Sequence, residues 1–194
     1  MRILSKAFYD RDPITVARNL IGKVLIRDLH GEILSGIIVE TEAYLGEGDA
    51  AAHGFKGRTR RNGSLYKKGG HAYVHTMRQY SLLDVVTGKE GTPGSVLIRA
   101  LEPVSGIVKM MRLRHEERLS NLTNGPGKIC AALHITRALD GTDMTVRKNG
   151  LYIAEGKKHP VPVIAVSPRI GISKAADMPL RFYHAENPHV SKKR

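Results

Sequence analysis

The segment from Val24 to Tyr44 constrains the fold of this chain more than any other part of the sequence. Two runs rich in apolar and β-branched residues, Val24 to Leu29 and Ile33 to Tyr44, are separated by the pair His30-Gly31. A short glycine-containing turn between two such runs is typical of a β-hairpin. The sequence therefore predicts two antiparallel strands here, the second of which is long.

Two acidic residues lie on the second predicted strand. Because side chains alternate between the faces of a strand, Glu40, Glu42 and Tyr44 share one face, and Thr41 and Ala43 share the other. A carboxylate beside an aromatic ring loses part of its hydration, which raises its pKa and makes it a stronger base toward water. On spacing alone, however, a surface strand with solvated acids is the commoner arrangement.

Seven short motifs carry a resemblance that spans nearly the whole chain. They occur in the order and spacing of the alkyladenine DNA glycosylases: VETEAY at 39–44, DAAAH at 49–53, RTRRN at 58–62, HAYV at 71–74, VLIRALEP at 96–103, NGPGKIC at 124–130 and LRFY at 180–183. Each motif is weak evidence alone, but seven in order are not expected by chance. The chain resembles a bacterial-type member of this family.

The resemblance implies a catalytic pair. In the family, the residue matching Glu42 is the base that orients and deprotonates a water, and the arginine matching Arg99 helps to hold that carboxylate and its water. The residues themselves require only that Arg99 has a carboxylate or phosphate partner, because it interrupts an otherwise apolar strand and an unpaired guanidinium is costly to bury. The alternative is that Arg99 marks an exposed strand face.

The resemblance also implies a pocket for a purine that is flipped out of the duplex. Tyr44 and His53 match the family residues that pack against the flipped base. His75 stands where the family has a tyrosine on the opposite side of that base. An imidazole ring stacks on a base as well, but it offers less apolar area than a phenol ring.

Two positions depart from the family pattern. Arg78 stands where most members carry a tyrosine that wedges into the duplex from the minor groove, and Asp84 stands where they carry an asparagine that screens the edge of the base. Both assignments depend on a loop that is one residue shorter here. For Asp84, the alternative is a side chain that points to solvent or pairs with a nearby arginine.

Positive charge dominates the composition. The chain has 31 Lys and Arg against 18 Asp and Glu, a formal net charge of +13, which favours a polyanionic partner without choosing between DNA, RNA and an acidic membrane. No apolar run approaches the length of a spanning helix, so no membrane role is expected. Phosphate contacts are expected from Arg58, Arg60 and Arg61, and from a helix start at Asn124 to Pro126 that includes Gly125 and precedes Lys128.

Length and cysteine content bound the domain organisation and the cofactors. A length of 194 residues suits a single domain over residues 1–194, and a monomer is expected. Cys130 is the only cysteine, which is typical of a reducing cytoplasm and excludes a thiolate metal site. His71 and His75 lie four residues apart with no third ligand at a suitable spacing, so neither a metal nor a cofactor is expected.

The remaining patterns predict helices and strands without βαβ alternation. A helix is expected from Asp12-Pro13 to Ile21, where Asp12 caps the free amides, and a longer helix from Ser105 to Leu119. Strands are expected at 71–77, 82–86, 96–101, 151–154, 161–166 and 180–183. This pattern, like the resemblance, implies an α+β domain around a curved, largely antiparallel sheet.

Residues and resemblance together predict a base-excision repair enzyme. It would flip an alkylated or deaminated purine, of the 3-methyladenine, 7-methylguanine or hypoxanthine class, out of double-stranded DNA. Hydrolysis of the N-glycosidic bond would leave an abasic site, and no strand cleavage is expected because no lysine is placed to form a Schiff base. The alternative is a non-catalytic basic nucleic-acid-binding protein.

Overall fold

The structure is a computed structural model that describes residues 1–156 and 163–191. Its strands are β1 Val24–Leu29, β2 Glu32–Tyr44, β3 Ala72–Met77, β4 Tyr80–Thr87, β5 Gly94–Ser105, β6 Leu151–Ala154, β7 Ile164–Ser167 and β8 Arg181–His184. Its α-helices are α1 Lys6–Tyr9, α2 Pro13–Leu20, α3 Ile107–Arg114, α4 Leu119–Leu122 and α5 Pro126–Ala132. Short 3-10 helices cover Gly63–Tyr66, Arg137–Leu139 and Arg147–Asn149.

All of these strands belong to one antiparallel sheet. Six are hydrogen-bonded in the order β3-β4-β5-β2-β1-β6, and β8 pairs with both β2 and β7. β2 organises the sheet, because β1 pairs with its first half, β8 pairs with Glu40 to Glu42, and β5 runs along its other side. The predicted α+β fold around a curved, largely antiparallel sheet is confirmed.

The hairpin predicted from Val24 to Tyr44 is present as β1 and β2. Both turn residues have positive φ, 55° at His30 and 88° at Gly31, which is the backbone combination of a tight two-residue hairpin. Asp28 Oδ1 accepts a hydrogen bond from the backbone N–H of Gly31 at 2.7 Å. The glycine therefore allows the turn that brings the two strands together.

Alternation along the strands separates an apolar face from a polar one. The apolar face packs into the main core and contributes Val74, Leu83, Val85, Val96 and Ile98. Helix α2 covers part of this face and begins as predicted, since Asp12 Oδ1 accepts from the backbone N–H of Thr15 at 2.8 Å. The opposite face of the same strands is left to carry polar side chains.

The prediction of a helix from Ser105 to Leu119 was wrong at both ends. β5 continues to Ser105, and α3 covers only Ile107–Arg114. Gly106 separates them, because its φ is 73° and a Cβ there would lie 2.4 Å from a neighbouring leucine side chain. His115 follows α3 in the left-handed conformation, at φ 50°, and ends it.

The other predicted elements occur near their expected positions. β4 and β5 are longer than predicted, and α5 starts at Pro126, within the predicted helix start. Of the strand expected at 161–166, positions 161 and 162 lie outside the described residues, and β7 begins at Ile164. No helix in the described ranges is both long and apolar enough to cross a bilayer.

Candidate active site

The polar face of the sheet brings together residues from distant strands. The register pairs Tyr73 with Asp84, Asp84 with Leu97, and Leu97 with Glu42. Paired residues on neighbouring strands point to the same face, so one row of side chains crosses β3, β4, β5 and β2. A carboxylate of β4 and a carboxylate of β2 therefore share one surface.

Glu42 lies on this surface with a fully buried side chain. Its Oε1 accepts a hydrogen bond from the backbone N–H of Ile170 at 2.8 Å, and its Oε2 accepts one from the Tyr44 hydroxyl at 3.1 Å. Burial raises the pKa of Glu42, and the positive charge of Arg99 and these two hydrogen bonds oppose the increase only in part. A raised pKa makes this carboxylate more basic toward water than an ordinary glutamate.

Glu40 is equally buried but is held by more donors. Arg181 Nε donates to its Oε1 at 2.6 Å. Ser191 donates to Oε1 through its hydroxyl at 2.9 Å and to Oε2 through its backbone N–H at 2.7 Å. These contacts tie β2 to β8 and to the segment after β8, so Glu40 holds the fold together behind Glu42.

Arg99 lies between the two acids. Its Nε is 3.2 Å from Oε1 of Glu40 and 3.4 Å from Oε1 of Glu42, and its side chain is 11% exposed. The pairing of β2 with β5 shifts register on both sides of Glu40, and such a bulge re-aims side chains locally. Arg99 therefore has two carboxylates within ion-pair distance of its Nε, although this nitrogen makes no hydrogen bond to the described residues, and it does not lie on an exposed strand face.

Arg169 supports this arrangement and was missed in the sequence. It forms a bidentate pair with Asp49, with N–O distances of 2.6 and 2.8 Å, and its guanidinium lies 4.6 Å from the centre of the Tyr44 ring. Burial opposes ionisation of Asp49, but the hydrogen bonds and charge of Arg169 outweigh it and lower the pKa of Asp49. Arg169 also precedes Ile170, so its anchoring places the backbone N–H that reaches Glu42. No local pattern reveals a pair whose members are 120 positions apart.

Four predicted pocket residues line one small cavity. Tyr44, His53, His75 and Asp84 contribute to its wall, together with Met77, Ser95, Leu97 and other residues, and its volume is about 70 Å³. A wider cavity of about 760 Å³ adjoins it and shares Ala51, His53 and His75. Ligand pockets usually measure roughly 300 to 1,000 Å³, so the inner cavity is narrow by comparison. Tyr44 donates a hydrogen bond to Glu42 and so connects the cavity wall to the buried acid.

A cluster of aromatic rings forms the boundary between the two cavities. His53 Nδ1 is 3.0 Å from the Tyr73 hydroxyl, and the His53 ring meets the His75 ring edge to face at a centroid distance of 4.5 Å. Tyr73 stacks on His75 at 5.1 Å. Desolvation lowers the pKa of His53, and the neighbouring His75 lowers it further. Tyr73 was missed as a site residue, although it lies two positions before His75 on β3 and therefore shares its face.

Asp84 lies in the wall of the inner cavity and is 4% exposed. Its Oδ2 accepts a hydrogen bond from the Ser95 hydroxyl at 2.7 Å, and its Oδ1 lies 3.3 Å from Nε2 of His75. The alternative of a solvent-facing Asp84 does not hold, and its contacts among the described residues are with serine and histidine, not with an arginine. Ser95 was not predicted as a site residue.

The basic loop after the acidic strand borders the outer cavity. Arg61 lines that cavity together with Lys56, Arg137 and Lys174. Arg60 is exposed, and the guanidinium of Arg58 lies over the Tyr66 ring at 5.8 Å. Asn62 orders the loop, because its side-chain amide donates to the carbonyls of His53 and Gly57 at 2.9 and 3.0 Å. The loop thus presents cations at the mouth of the site.

Arg78 lies at the tip of the β3–β4 hairpin. The turn consists of Arg78 and Gln79, and Arg78 has a φ of 54°. On either side, Met77 and Tyr80 are 50% and 51% exposed. The hairpin tip is therefore a projecting surface with an arginine and two apolar side chains, and Met77 also lines the inner cavity.

The start of α5 lies beside this hairpin. A Cβ at Gly127 would come within 3.0 Å of Tyr80, so the glycine permits close packing of the helix on β4. Gly125 precedes the first residue of α5. Lys128 donates to the side-chain oxygens of Asn121 and Asn124, which hold its ammonium group near the helix start.

The described residues offer no cluster for a metal ion. Among them, no three His, Cys, Asp or Glu side chains come close enough together to hold one. His71 Nδ1 instead contacts the carbonyl of Lys68 at 2.7 Å. Cys130 is buried, and burial raises the pKa of its thiol to about 12.

Comparison with known proteins identifies the class to which this fold and site belong. A family model described as methylpurine-DNA glycosylase (MPG) matches residues 7–188. A "Putative 3-methyladenine DNA glycosylase" of Methanocella arvoryzae is 44% identical over 198 residues, covering 100% of this chain and 98% of the relative. Proteins of the same name from Oceanobacillus iheyensis and Mesorhizobium japonicum are 45% and 50% identical, covering 97% and 89% of this chain and 96% and 82% of their own lengths.

The chain belongs to the methylpurine-DNA glycosylase family. It is accordingly a DNA repair glycosylase, a hydrolase that acts on N-glycosyl bonds in DNA. The resemblance drawn from the seven motifs is confirmed. The comparisons do not favour the alternative of a non-catalytic nucleic-acid-binding protein.

Proposed function

We propose that this glycosylase flips an alkylated or deaminated purine out of double-stranded DNA and hydrolyses its N-glycosidic bond with a water activated by Glu42. The substrate class comprises 3-methyladenine, 7-methylguanine and hypoxanthine. The observation that carries the proposal is the contrast within β2. Glu42 is buried, has a raised pKa and is linked through Tyr44 to a cavity, whereas Glu40 is occupied by Arg181 and Ser191.

Glu42 is the base of the reaction. It takes one proton from the attacking water, the oxygen adds to the anomeric carbon, and the bond to the purine breaks. The negative charge of Glu42 also favours the positive charge that develops on the sugar. The hydrogen bond from the N–H of Ile170 orients the carboxylate, and the nearby charge of Arg99 stabilises its ionised form, so little rearrangement is needed during the reaction.

The purine occupies the inner cavity between Tyr44, His53 and His75, with one edge toward Asp84. The cavity is about 70 Å³, so it must widen when the base enters. Met77 lines the cavity and is 50% exposed, and a thioether side chain adjusts its rotamer easily. Entry of the base therefore displaces Met77 toward solvent.

The enzyme is monofunctional in this proposal. A lyase step requires an amine that attacks the anomeric carbon. Within the described residues, the wall of the inner cavity contains no lysine, and Lys56 and Lys174 line the outer cavity. The product is therefore an intact strand with an abasic site. The enzyme acts as a monomer in the cytoplasm, where a single buried cysteine is typical.

The surrounding cations bind the DNA backbone. Arg58, Arg60 and Arg61 contact phosphates at the mouth of the outer cavity, and Gly125 and Lys128 contact phosphates beside the hairpin. Arg78, at the projecting hairpin tip, enters or borders the minor groove and fills the space left by the flipped base. An arginine fills that space less completely than an aromatic ring.

The direct test uses duplex oligonucleotides that carry one hypoxanthine or one 7-methylguanine. After incubation with the protein, alkali cleaves the strand at any abasic site. We expect cleavage at the lesion only after alkali, and none in the undamaged duplex or in a lesion duplex that received the same mild alkali without the protein. Binding without excision of either lesion would contradict the proposed substrates, and cleavage before alkali treatment would contradict the monofunctional mechanism.

A further inference from the structure

Arg169 is a buried residue that takes no direct part in the proposed reaction. Its guanidinium forms two hydrogen bonds to the carboxylate of Asp49, at 2.6 and 2.8 Å, and both side chains are fully buried. Two planar groups joined by two parallel bonds have a fixed relative orientation. Breaking such a buried pair by removing one partner is strongly destabilising, so the pair is a rigid joint within the protein.

The ion pair joins two segments that are distant in the sequence. One segment, residues 45–53, follows β2, and the other, residues 168–175, precedes β8. Each contributes to the wall of the inner cavity, the first through His53 and the second through Ile172. The carboxylate also accepts from two backbone N–H groups of its own segment at 3.1 Å, and the guanidinium donates to a carbonyl of its own segment at 3.4 Å. The pair therefore fixes the two segments relative to each other.

Both hydrogen bonds that Glu42 accepts from the described residues come from groups that Arg169 holds. The first donor is the backbone N–H of Ile170, the residue that follows Arg169 in the chain, at 2.8 Å. The second is the hydroxyl of Tyr44 at 3.1 Å, and the guanidinium lies 4.6 Å from the centre of that ring. Arg169 also donates to the carbonyl of Ala43 at 3.0 Å, between the two residues of β2.

We propose that Arg169 and Asp49 form a positioning pair, which keeps both hydrogen-bond donors of Glu42 in place for the attack of water. Neither member of the pair touches the DNA or the water, since both act through Ile170 and Tyr44. Without the pair, Glu42 stays buried but its carboxylate adopts several orientations, and fewer of them are aligned with the attacking water. This inference rests on the proposed role of Glu42 as the base.

The pair also changes the pH at which Glu42 ionises. Burial has the largest effect and raises the pKa of Glu42, and the hydrogen bonds from Ile170 and Tyr44 lower it. Loss of these two bonds therefore raises the pKa of Glu42 further, and excision, which needs the ionised carboxylate, requires a higher pH. The other charged side chains beside Glu42, from β2, β5 and β8, are unchanged when the pair is removed: Glu40, Arg99 and Arg181.

The test measures single-turnover excision of 7-methylguanine at saturating protein, over a range of pH, in Arg169→Gln and Arg169→Lys. Arg169→Gln should lower the plateau rate by about 10²-fold, the loss that follows when a reacting group is misplaced by about 1 Å. It should also move the midpoint of the rise with pH to a higher pH. Lysine keeps the charge but cannot form two parallel bonds, so Arg169→Lys should show both changes to a smaller extent. Affinity for an undamaged duplex should stay the same, because both members of the pair are buried.

Two further variants separate positioning from stability. Ile153→Ala, at a buried core position of β6 that lines neither cavity, lowers stability but should keep the wild-type rate per folded molecule and the wild-type midpoint. Arg169→Met combined with Asp49→Asn removes both charges together and leaves neither charge buried without its partner, so it serves if Arg169→Gln fails to fold. This double variant should show the slow excision and the shifted midpoint of a lost positioning pair.

The outcomes distinguish this inference from the proposed function. A wild-type rate and midpoint in folded Arg169→Gln, or in the double variant, would overturn the inference and leave the pair with a purely structural role. A shift of the midpoint in Ile153→Ala of the same size would also overturn it, because the shift would then follow from lost stability. A wild-type rate in Glu42→Gln would instead contradict the proposed role of Glu42.

Discussion

Two regions of the polar face differ in how their charged residues are held. The floor consists of Glu40, Glu42, Asp84 and Arg99. The rim consists of Arg58, Arg60, Arg61 and Arg78. The carboxylates of the floor are buried and each accepts hydrogen bonds from the protein, whereas the four rim arginines are exposed.

In the proposed mechanism, this difference separates chemistry from binding. A buried charge that is fixed by several partners keeps one geometry, as catalysis requires, and it is costly to disturb. An exposed arginine on a loop or a turn is free to follow the shape of a phosphate backbone, and each such contact adds affinity without affecting the reaction. Substitutions in the floor should therefore reduce the rate or the stability, and substitutions in the rim should change DNA binding.

The largest expected effect is the loss of excision in Glu42→Gln. The amide keeps the shape of the side chain but cannot accept the proton of the water, so the single-turnover rate should fall by about 10² to 10⁴. Folding, measured by circular dichroism, and DNA affinity should be retained. Full activity in this variant would show that Glu42, and with it the floor, does not supply the base of the reaction.

Glu40→Gln tests whether the two acids of the floor have different roles. Removing the charge that pairs with buried Arg181 should lower the free energy of unfolding by about 3 kcal/mol, because a buried guanidinium is left with less compensation. Excision per folded molecule should fall much less than in Glu42→Gln. Urea unfolding measures the first effect.

Glu32→Gln, at the exposed end of the same strand, is the control that should change neither quantity. Equal loss of excision in the Glu40 and Glu42 variants would show that the acids share one role.

Replacing Arg60 and Arg61 together by glutamine should weaken DNA binding without changing the rate of the bound complex. Affinity falls as salt rises, and each lost phosphate contact makes the slope of log affinity against log salt shallower by about 0.9. The slope of the double variant should therefore be shallower by about 1.8. Fluorescence anisotropy over a range of salt concentrations measures the slope. The control replaces Arg2 and Lys148, which lie near the β6 edge of the sheet, together by glutamine. This control should leave the slope unchanged. An unchanged slope in the Arg60 and Arg61 variant would place the DNA on another surface.

The smallest expected effect is a change of a few-fold in lesion binding by Arg78→Tyr. An aromatic ring fills the gap left by a flipped base better than a guanidinium does. Stacking of an aromatic ring on a base is worth about 1 to 3 kcal/mol, but arginine also stacks on bases, so only part of this energy is gained. Affinity for a lesion duplex should therefore rise more than affinity for undamaged DNA. Gln79→Tyr, at the adjacent turn position, controls for the added ring. Equal affinities in wild type and Arg78→Tyr would mean that another residue fills the gap.

The sequence predicted the local features of this molecule well. Alternation placed Glu40, Glu42 and Tyr44 on one face of β2, and the His30-Gly31 turn predicted the hairpin that presents them. The helix after β5 was misplaced, because its start and end are set by the positive φ of Gly106 and His115. A residue type alone does not reveal that a given glycine or histidine adopts this conformation.

Interactions across long separations were beyond the sequence patterns. The choice between Glu40 and Glu42 came only from the resemblance, since alternation treats them alike. Their physical difference depends on Ser191 and Arg181, which lie more than a hundred positions away. Arg169 was missed for the same reason. Residues that hold a site in place are visible only when the chain is folded.

The pH dependence of excision tests most directly whether Glu42 is the base. Single-turnover rates for 7-methylguanine, which is already cationic, should rise with pH as Glu42 loses its proton. The midpoint should lie above the ordinary glutamate value of 4.5, because burial raises the pKa of Glu42. In Glu40→Gln the rise should persist and move to lower pH, since Glu40 is a negative neighbour that raises this pKa. In Glu42→Gln the rise should be absent. A wild-type rise in Glu42→Gln, or its disappearance in Glu40→Gln, would contradict the assignment.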